Sequence, residues 1–371
     1  MGLVACGSPD SSQPGSGGYL PDPSSGPEAK GGATDDEALN RSMELPGFKS
    51  WTPYNTAVAP PATNSTGTFI GLSTPKGVYM LEFDADVMDE ATRDMFGIDG
   101  APAGSREVRG WSNGTDNRQR LQGANLVPEI GQVINQFGGG CSGTLIGINL
   151  VRTAAHCVVL HTTGGGTVGG ANQQTFNYRR DAGTIFAQTN TQTFYFGGNY
   201  TPQNCARSTA ADYWNGYRNN FGNCTWADWA ILVLPSGWWN AAGSVQWMGY
   251  RQLVNGNLGL RLRATGYPGC GTIPDRPIQA VGCVNNAEYE DRSTTCTVKS
   301  WTASPSKFKS DCDGSPGNSG GSGWDPATRQ LIGHFQWEDC TTCAGVSAPN
   351  HFLGHDQWLY DFQNSLRNMF P

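Results

Sequence analysis

What most constrains this chain is its punctuation. From Leu121 onward, short apolar runs alternate with glycine, asparagine and proline. Candidate strands are Gly143 to Ile148, Val151 to Ala155, Gln192 to Phe196, Trp229 to Leu234, Arg261 to Thr265 and Gln330 to Trp337. Many short strands with turn signals between them predict an all-β barrel or sandwich. One stretch departs from this: Trp358, Leu359, Phe362, Leu366 and Phe370 recur at three- and four-residue steps, which predicts an amphipathic helix packed on the β domain. No internal repeat of fixed period is present. Glycine supplies much of the punctuation, at 51 of 371 residues, about twice the usual share of ~7%. A hydrophobic fraction of 37% is ample for a core. No apolar run approaches the ~20 residues that cross a bilayer. A net charge of −7, with no offsetting basic patch, argues against a nucleic-acid partner.

Eleven cysteines in a loop-rich chain point to an oxidising compartment, with one cysteine left over. Leu3-Val4-Ala5-Cys6 resembles a bacterial lipobox, in which the cysteine carries the lipid. The charged and long apolar parts of a signal peptide are missing here, so the start reads as truncated or misplaced. Ser8 to Gly32 is rich in Gly, Ser and Pro, as a flexible tether would be. The expected location is therefore extracytoplasmic, secreted or anchored to a bacterial membrane through a lipidated Cys6. Cys340-Thr341-Thr342-Cys343 lacks the second close pair of a zinc site; Cys205/Cys224, Cys270/Cys283 and Cys296/Cys312 are spaced like loop bridges. Disulfides are expected, with no metal and no cofactor.

Three regions follow: a leader and tether over 1–50, a propeptide or N-terminal extension over 51–110, and the main domain over 111–371. In the second, Gly77 to Phe83 reads as a strand. Val87, Met88, Ala91, Met95 and Phe96 lie at helical spacing between a capping Asp86 and a terminating Gly97. The segment is too short for a core of its own and is expected to pack on the main domain. The long stretch Val158 to Asn223 carries no motif and reads as an insert over the site. Trp238, Trp239 and Trp247 read as barrel packing rather than a carbohydrate platform.

Three further stretches carry chemistry. In Thr153-Ala154-Ala155-His156-Cys157, a histidine follows a strand; imidazole titrates near working pH and suits a general base. In Trp226-Ala227-Asp228-Trp229-Ala230-Ile231-Leu232-Val233-Leu234, a carboxylate enters an apolar strand. That placement costs several kcal/mol unless the charge is paired, and an imidazole N–H would satisfy it; a turn-capping aspartate is the plainer alternative. Asp212 competes but has no apolar strand behind it. In Asp311-Cys312-Asp313-Gly314-Ser315-Pro316-Gly317-Asn318-Ser319-Gly320-Gly321, glycines around Ser319 allow a tight turn that exposes its hydroxyl. The backbone N–H groups of Gly317 and Ser319 would then form an oxyanion hole.

Together these stretches resemble the chymotrypsin-like serine peptidases, whose triad runs His, Asp, Ser along the chain. The resemblance implies two six-stranded antiparallel β-barrels with a C-terminal helix and the site between the barrels. It also implies a Cys141–Cys157 bridge, and acyl transfer by Ser319 with His156 as base and Asp228 as its orienting partner. Gly114-Thr115-Asp116-Asn117-Arg118, Thr265-Gly266-Tyr267-Pro268-Gly269 and Asp313 with Pro316-Gly317-Asn318-Ser319 resemble segments of the bacterial glutamyl-endopeptidase branch. The likeness covers about Gly110 to Pro371.

Departures fall at the regulatory and specificity positions. Asn318 stands where animal relatives carry the aspartate that receives a new N-terminus. After Ile332-Gly333, His334 comes one position earlier than the branch's carboxylate-reading histidine, and in a strand one residue reverses the face. The pocket candidates are Asp313, Gln336, Trp337 and Glu338. Acidic groups there disfavour an acidic substrate side chain, so a basic or polar residue before the cut is favoured slightly over glutamate. The expected partners are protein or peptide substrates of a monomeric enzyme. The other readings are a catalytically silent binding protein on a protease fold, and a latent precursor activated by N-terminal cleavage.

Overall fold

The computed structural model describes residues 35–54, 67–84, 118–136, 139–162, 165–181, 184–198, 200, 227–252, 258–268, 290–293, 296–302, 307–312, 314, 317–338, 350–355 and 357–371. Helix α1 (Asp35–Met43) leads into β1 (Phe48–Pro53), β2 (Gly67–Thr74) and β3 (Gly77–Asp84). Then come β4 (Arg118–Leu121), β5 (Ile130–Ile134), β6 (Gly140–Gly147), β7 (Leu150–Thr153), β8 (Val159–Thr162), β9 (Gly165–Val168), β10 (Thr175–Asp181), β11 (Thr184–Asn190), β12 (Thr193–Gly197) and β13 (Ala230–Val233). The second half holds β14 (Gly249–Tyr250), β15 (Arg261–Gly266), β16 (Glu290–Ser293), β17 (Cys296–Thr302), β18 (Lys307–Ser310), β19 (Ser322–Asp325), β20 (Gln330–Glu338) and β21 (Asn350–Gly354), before helix α2 (Gln357–Met369). All six strands read from the sequence after Leu121 fall on observed strands, as does Gly77 to Phe83. The expected helix after Asp86 lies outside the described residues.

One barrel closes on itself: β15 pairs β17 and β19, β17 pairs β18, β18 pairs β21, β21 pairs β20, and β20 pairs β19. Alternation drives the closure. Every second residue of β18 is buried, and Leu262, Val298, Phe308, Ile332, Phe335 and Phe352 fill one interior cluster. The other six strands run β12-β13-β7-β6-β5-β10 within a ten-stranded sheet, over a core that includes Val133, Val151, Phe176, Phe194, Phe196 and Leu232. The chain is thus all-β, with one closed six-stranded barrel, one large ten-stranded sheet and a C-terminal helix. Its departure from a plain pair of barrels lies at β12, whose second edge pairs β2 and so adds β1–β3 to the sheet.

The stretch Val158 to Asn223 is not simply an insert over the site: its described part supplies β10 and β12, two of the six strands. The period-two apolar pairs Phe176/Tyr178 and Phe194/Phe196 build them. Trp238 packs as expected, edge-on to Phe176 and Tyr178 with its indole N–H donating to Ile148 O at 2.8 Å, and Trp239 lies half-buried against the same cluster. Trp247 does not; it is 45% exposed in a connection outside any strand. Among the described residues no helix is long and apolar enough to cross a membrane.

Candidate active site

His156 sits in a 3-10 turn (Ala155–Cys157) directly after β7. The Cys141–Cys157 disulfide ties that turn to β6, as the resemblance implied. Asp228 lies two residues before β13, and because β13 pairs β7 with Ala230 opposite Thr153, the acid arrives beside the histidine. Asp228 is fully buried. Its Oδ1 accepts the His156 backbone N–H at 2.9 Å, and Oδ2 lies 3.0 Å from His156 Nδ1. A carboxylate only accepts, so Nδ1 carries the proton and Nε2 keeps its lone pair, the tautomer a general base requires. Lys307 on β18 feels this site: burial pulls its ammonium down to about 7, against the opposing pull of the Asp228 charge.

The Ser319 loop is held from β6. Ser142 is fully buried and uses every polar group it has. Its N–H donates to Ser319 O (2.8 Å), its hydroxyl donates to Gly317 O (2.8 Å) and accepts from Tyr267 N–H (2.7 Å), and its carbonyl accepts from Thr153 Oγ1 (2.8 Å). β20 holds the other side: Gly320 N–H donates to Phe335 O, and Phe335 N–H donates to Gly321 O, each at 2.8 Å. Gly320 must be glycine. Its φ is +79°, and a Cβ there would stand 2.1 Å from Thr153 Oγ1 and 2.3 Å from Ser142 O. The Ser319 loop therefore lies directly on the strand that delivers His156. Among the described residues, no hydrogen bond joins Ser319 Oγ to His156, and none occupies the N–H of Gly317 or of Ser319.

His334 is completely buried with both ring nitrogens engaged: Arg152 Nε donates to Nδ1 at 3.1 Å, and Nε2 lies 2.8 Å from Asp228 O. It meets Asp228 at the main-chain carbonyl, on the side away from the carboxylate that holds His156. β20 also carries a register irregularity between Phe335 and Trp337, so one extra residue, Gln336, is taken up as a bulge. Gln336 is buried. Trp337 and Glu338 belong to β20, but their side chains lie outside the described residues, as do Asp313 and Cys6. Cys141, His156 and Cys157 crowd within 4.8 Å, yet both sulfurs are consumed by the disulfide and are no thiolate ligands. Cys296 pairs Cys312, as their spacing suggested.

Sequence reasoning missed Ser142 and Arg152. The one signal for Ser142 is a hydroxyl between Cys141 and Gly143 in a strand buried beyond its first residue. For Arg152 it is a lone charge in the fully buried β7.

No protein-family model and no curated protein matches the chain. Among solved structures it is similar to a Glu endopeptidase in complex with MPD (20% identity, 69% of this chain and 98% of that one, TM-score 0.48). It is also similar to the protease Anisep from Arthrobacter nicotinovorans (16%, 68% and 99%, TM-score 0.43). A third is the thermostable serine protease AL20 from an extremophilic microorganism (17%, 66% and 97%, TM-score 0.39).

Proposed function

We propose that this protein is a serine endopeptidase that cleaves peptide bonds through an acyl-enzyme on Ser319. The observation that carries the reading is the buried Asp228 carboxylate, which holds both the backbone N–H and Nδ1 of His156. A carboxylate placed there fixes the base tautomer and stabilises the imidazolium formed when His156 Nε2 takes the Ser319 proton. Ser319 Oγ then attacks the scissile carbonyl, and the N–H groups of Gly317 and Ser319, unengaged among the described residues, receive the oxyanion. The imidazolium returns its proton to the leaving amine. Water, deprotonated by the same histidine, releases the acyl group.

The substrate reading is a protein or peptide with a basic or polar residue before the cut. The burial of His334 supports this choice over glutamate, because a ring spent on Arg152 and Asp228 cannot read a substrate carboxylate. Asp313, Gln336, Trp337 and Glu338 are the proposed pocket. A place in the glutamyl-endopeptidase branch, an extracytoplasmic location and a lipid on Cys6 complete the reading. They are supported by the quoted motifs and by two disulfides among the described residues.

A fluorophosphonate probe tests the assignment. It is expected to label the wild-type chain and to leave Ser319→Ala unlabelled. An unlabelled wild type favours the silent or latent reading, and equal labelling of both rejects Ser319 as the nucleophile.

A further inference from the structure

We propose that His334, locked by Arg152, is a positioning residue of the triad, one that holds the main chain of Asp228 so that its carboxylate meets His156 twice. The proposal rests on the peptidase reading above and adds to it a component from the opposite barrel.

The chemistry of the three groups fixes the direction of every bond. A guanidinium donates and never accepts, so His334 Nδ1, 3.1 Å from Arg152 Nε, must be the bare nitrogen. The ring proton is then on Nε2 and is donated to Asp228 O at 2.8 Å. Arg152, His334 and Asp228 are all fully buried. Burial, reinforced by the Arg152 charge, holds His334 well below the usual histidine range, so this neutral tautomer is the one present at neutral pH.

The tie joins three elements. Arg152 is on β7, four residues before His156; His334 is on β20, in the closed barrel; Asp228 precedes β13. Arg152 also lies over the Trp229 ring, with its guanidinium carbon 5.6 Å from the centroid. The residue carrying the carboxylate and the residue after it are thus both referenced to one arginine, on the strand that delivers the base. A buried guanidinium is costly, and apolar residues of similar volume are often as stable or more so. The pair therefore reads as a device that fixes geometry. The bond to Asp228 is made to its carbonyl, which leaves both carboxylate oxygens for His156.

The test is phosphonylation of Ser319 under saturation, which separates the maximal inactivation rate from probe affinity. His334→Leu removes both bonds and is expected to lower the maximal rate about 10- to 100-fold, with affinity within about twofold. His334→Gln offers a donor at the reach of Nε2 and is expected to recover most of the rate. His334→Asn keeps an acceptor for Arg152 but falls short of Asp228 O; it is expected to behave like Leu, and it provides the measurement should Leu fail to fold. In an Asp228→Ala background, the change at His334 is expected to matter less than about twofold, because the two act on one feature. Wild-type rates in the Leu or Asn variant, or equal losses with and without Asp228, would overturn the positioning role alone. A wild type that is never labelled would overturn the peptidase reading instead.

Discussion

At the scale of single residues, the site depends on side chains that carry no catalytic signature. Ser142 is the clearest case, since one hydroxyl joins Gly317 O to Tyr267 N–H while the same residue's backbone holds Ser319. Ser142→Ala strands the buried Tyr267 N–H, at a cost of about 1–3 kcal/mol, and frees the carbonyl of a proposed oxyanion residue. The expected outcome is a lower denaturation midpoint and a roughly tenfold slower phosphonylation of Ser319 with unchanged probe affinity. An unaltered rate would show that the glycine contacts alone set the loop. The meeting of His156 with Asp228 was legible because each sits in a short pattern whose chemistry has few other uses, and the same holds for the glycine-bound turn at Ser319 as a candidate. Ser142, Arg152 and His334 were not legible as a set. Their partners lie 175, 182 and 106 positions away, and a lone serine or buried arginine in a strand names no partner. His334 was noticed only as a misplaced pocket residue. Position along the strand told which face it left, not what it met on the other.

At the scale of elements, alternation made the strands legible and left the pairing of edges hidden. β12 was read from Gln192 to Phe196, but nothing in those residues told that its free edge would take β2. The bulge at Gln336 was equally silent, since an extra residue leaves no mark on composition. The junction of β21 and α2 holds another hidden device. His355 is buried there, its ring stacked on Tyr250 of β14 with centroids 5.4 Å apart. Burial first, then the Arg152 charge, lowers its pKa to about 3. An unfolded histidine titrates near 6.5. As pH falls through that value the unfolded chain takes up a proton that the folded chain refuses until about pH 3, so stability is lost progressively across the window. The slope approaches about 1.4 kcal/mol per pH unit. His355→Phe keeps an aromatic against Tyr250 and removes the proton site. Urea unfolding at a series of pH values should show the variant gaining roughly 3 kcal/mol on the wild type between pH 7 and 4.5. Parallel stability curves would reject this account.

At the scale of the whole molecule, the N-terminal strands and the C-terminal helix share one core with Trp229, the residue after Asp228. Ile70, Leu72, Leu81 and Phe83 of β2 and β3 are fully buried and cluster with Tyr195, Trp229, Phe362 and Leu366. The Phe362 ring lies 5.8 Å from Trp229 and 5.6 Å from Tyr195, and Ser42 of α1 hydrogen-bonds the Tyr195 hydroxyl at 2.9 Å. Arg41 of the same helix donates to Met369 O at 2.9 Å. Of the two readings of this region, removable propeptide or packed extension, these contacts support the second. Burial of four such apolar side chains contributes roughly 6–12 kcal/mol, which is the size of a whole domain's stability. Loss of β2 would also bare the edge of β12, an invitation to mispairing. A chain lacking Met1 to Asp84 is therefore expected to be insoluble or to lose its cooperative melting transition. Cleavage of the folded chain between β3 and β4, the event the latent-precursor reading requires, is expected to have a different result. The two pieces should co-elute on size exclusion, run as two bands on a denaturing gel, and part only in denaturant. A truncated chain that folds with wild-type stability, or an N-terminal fragment that leaves freely after the cut, would restore the view of this segment as a disposable pro-region.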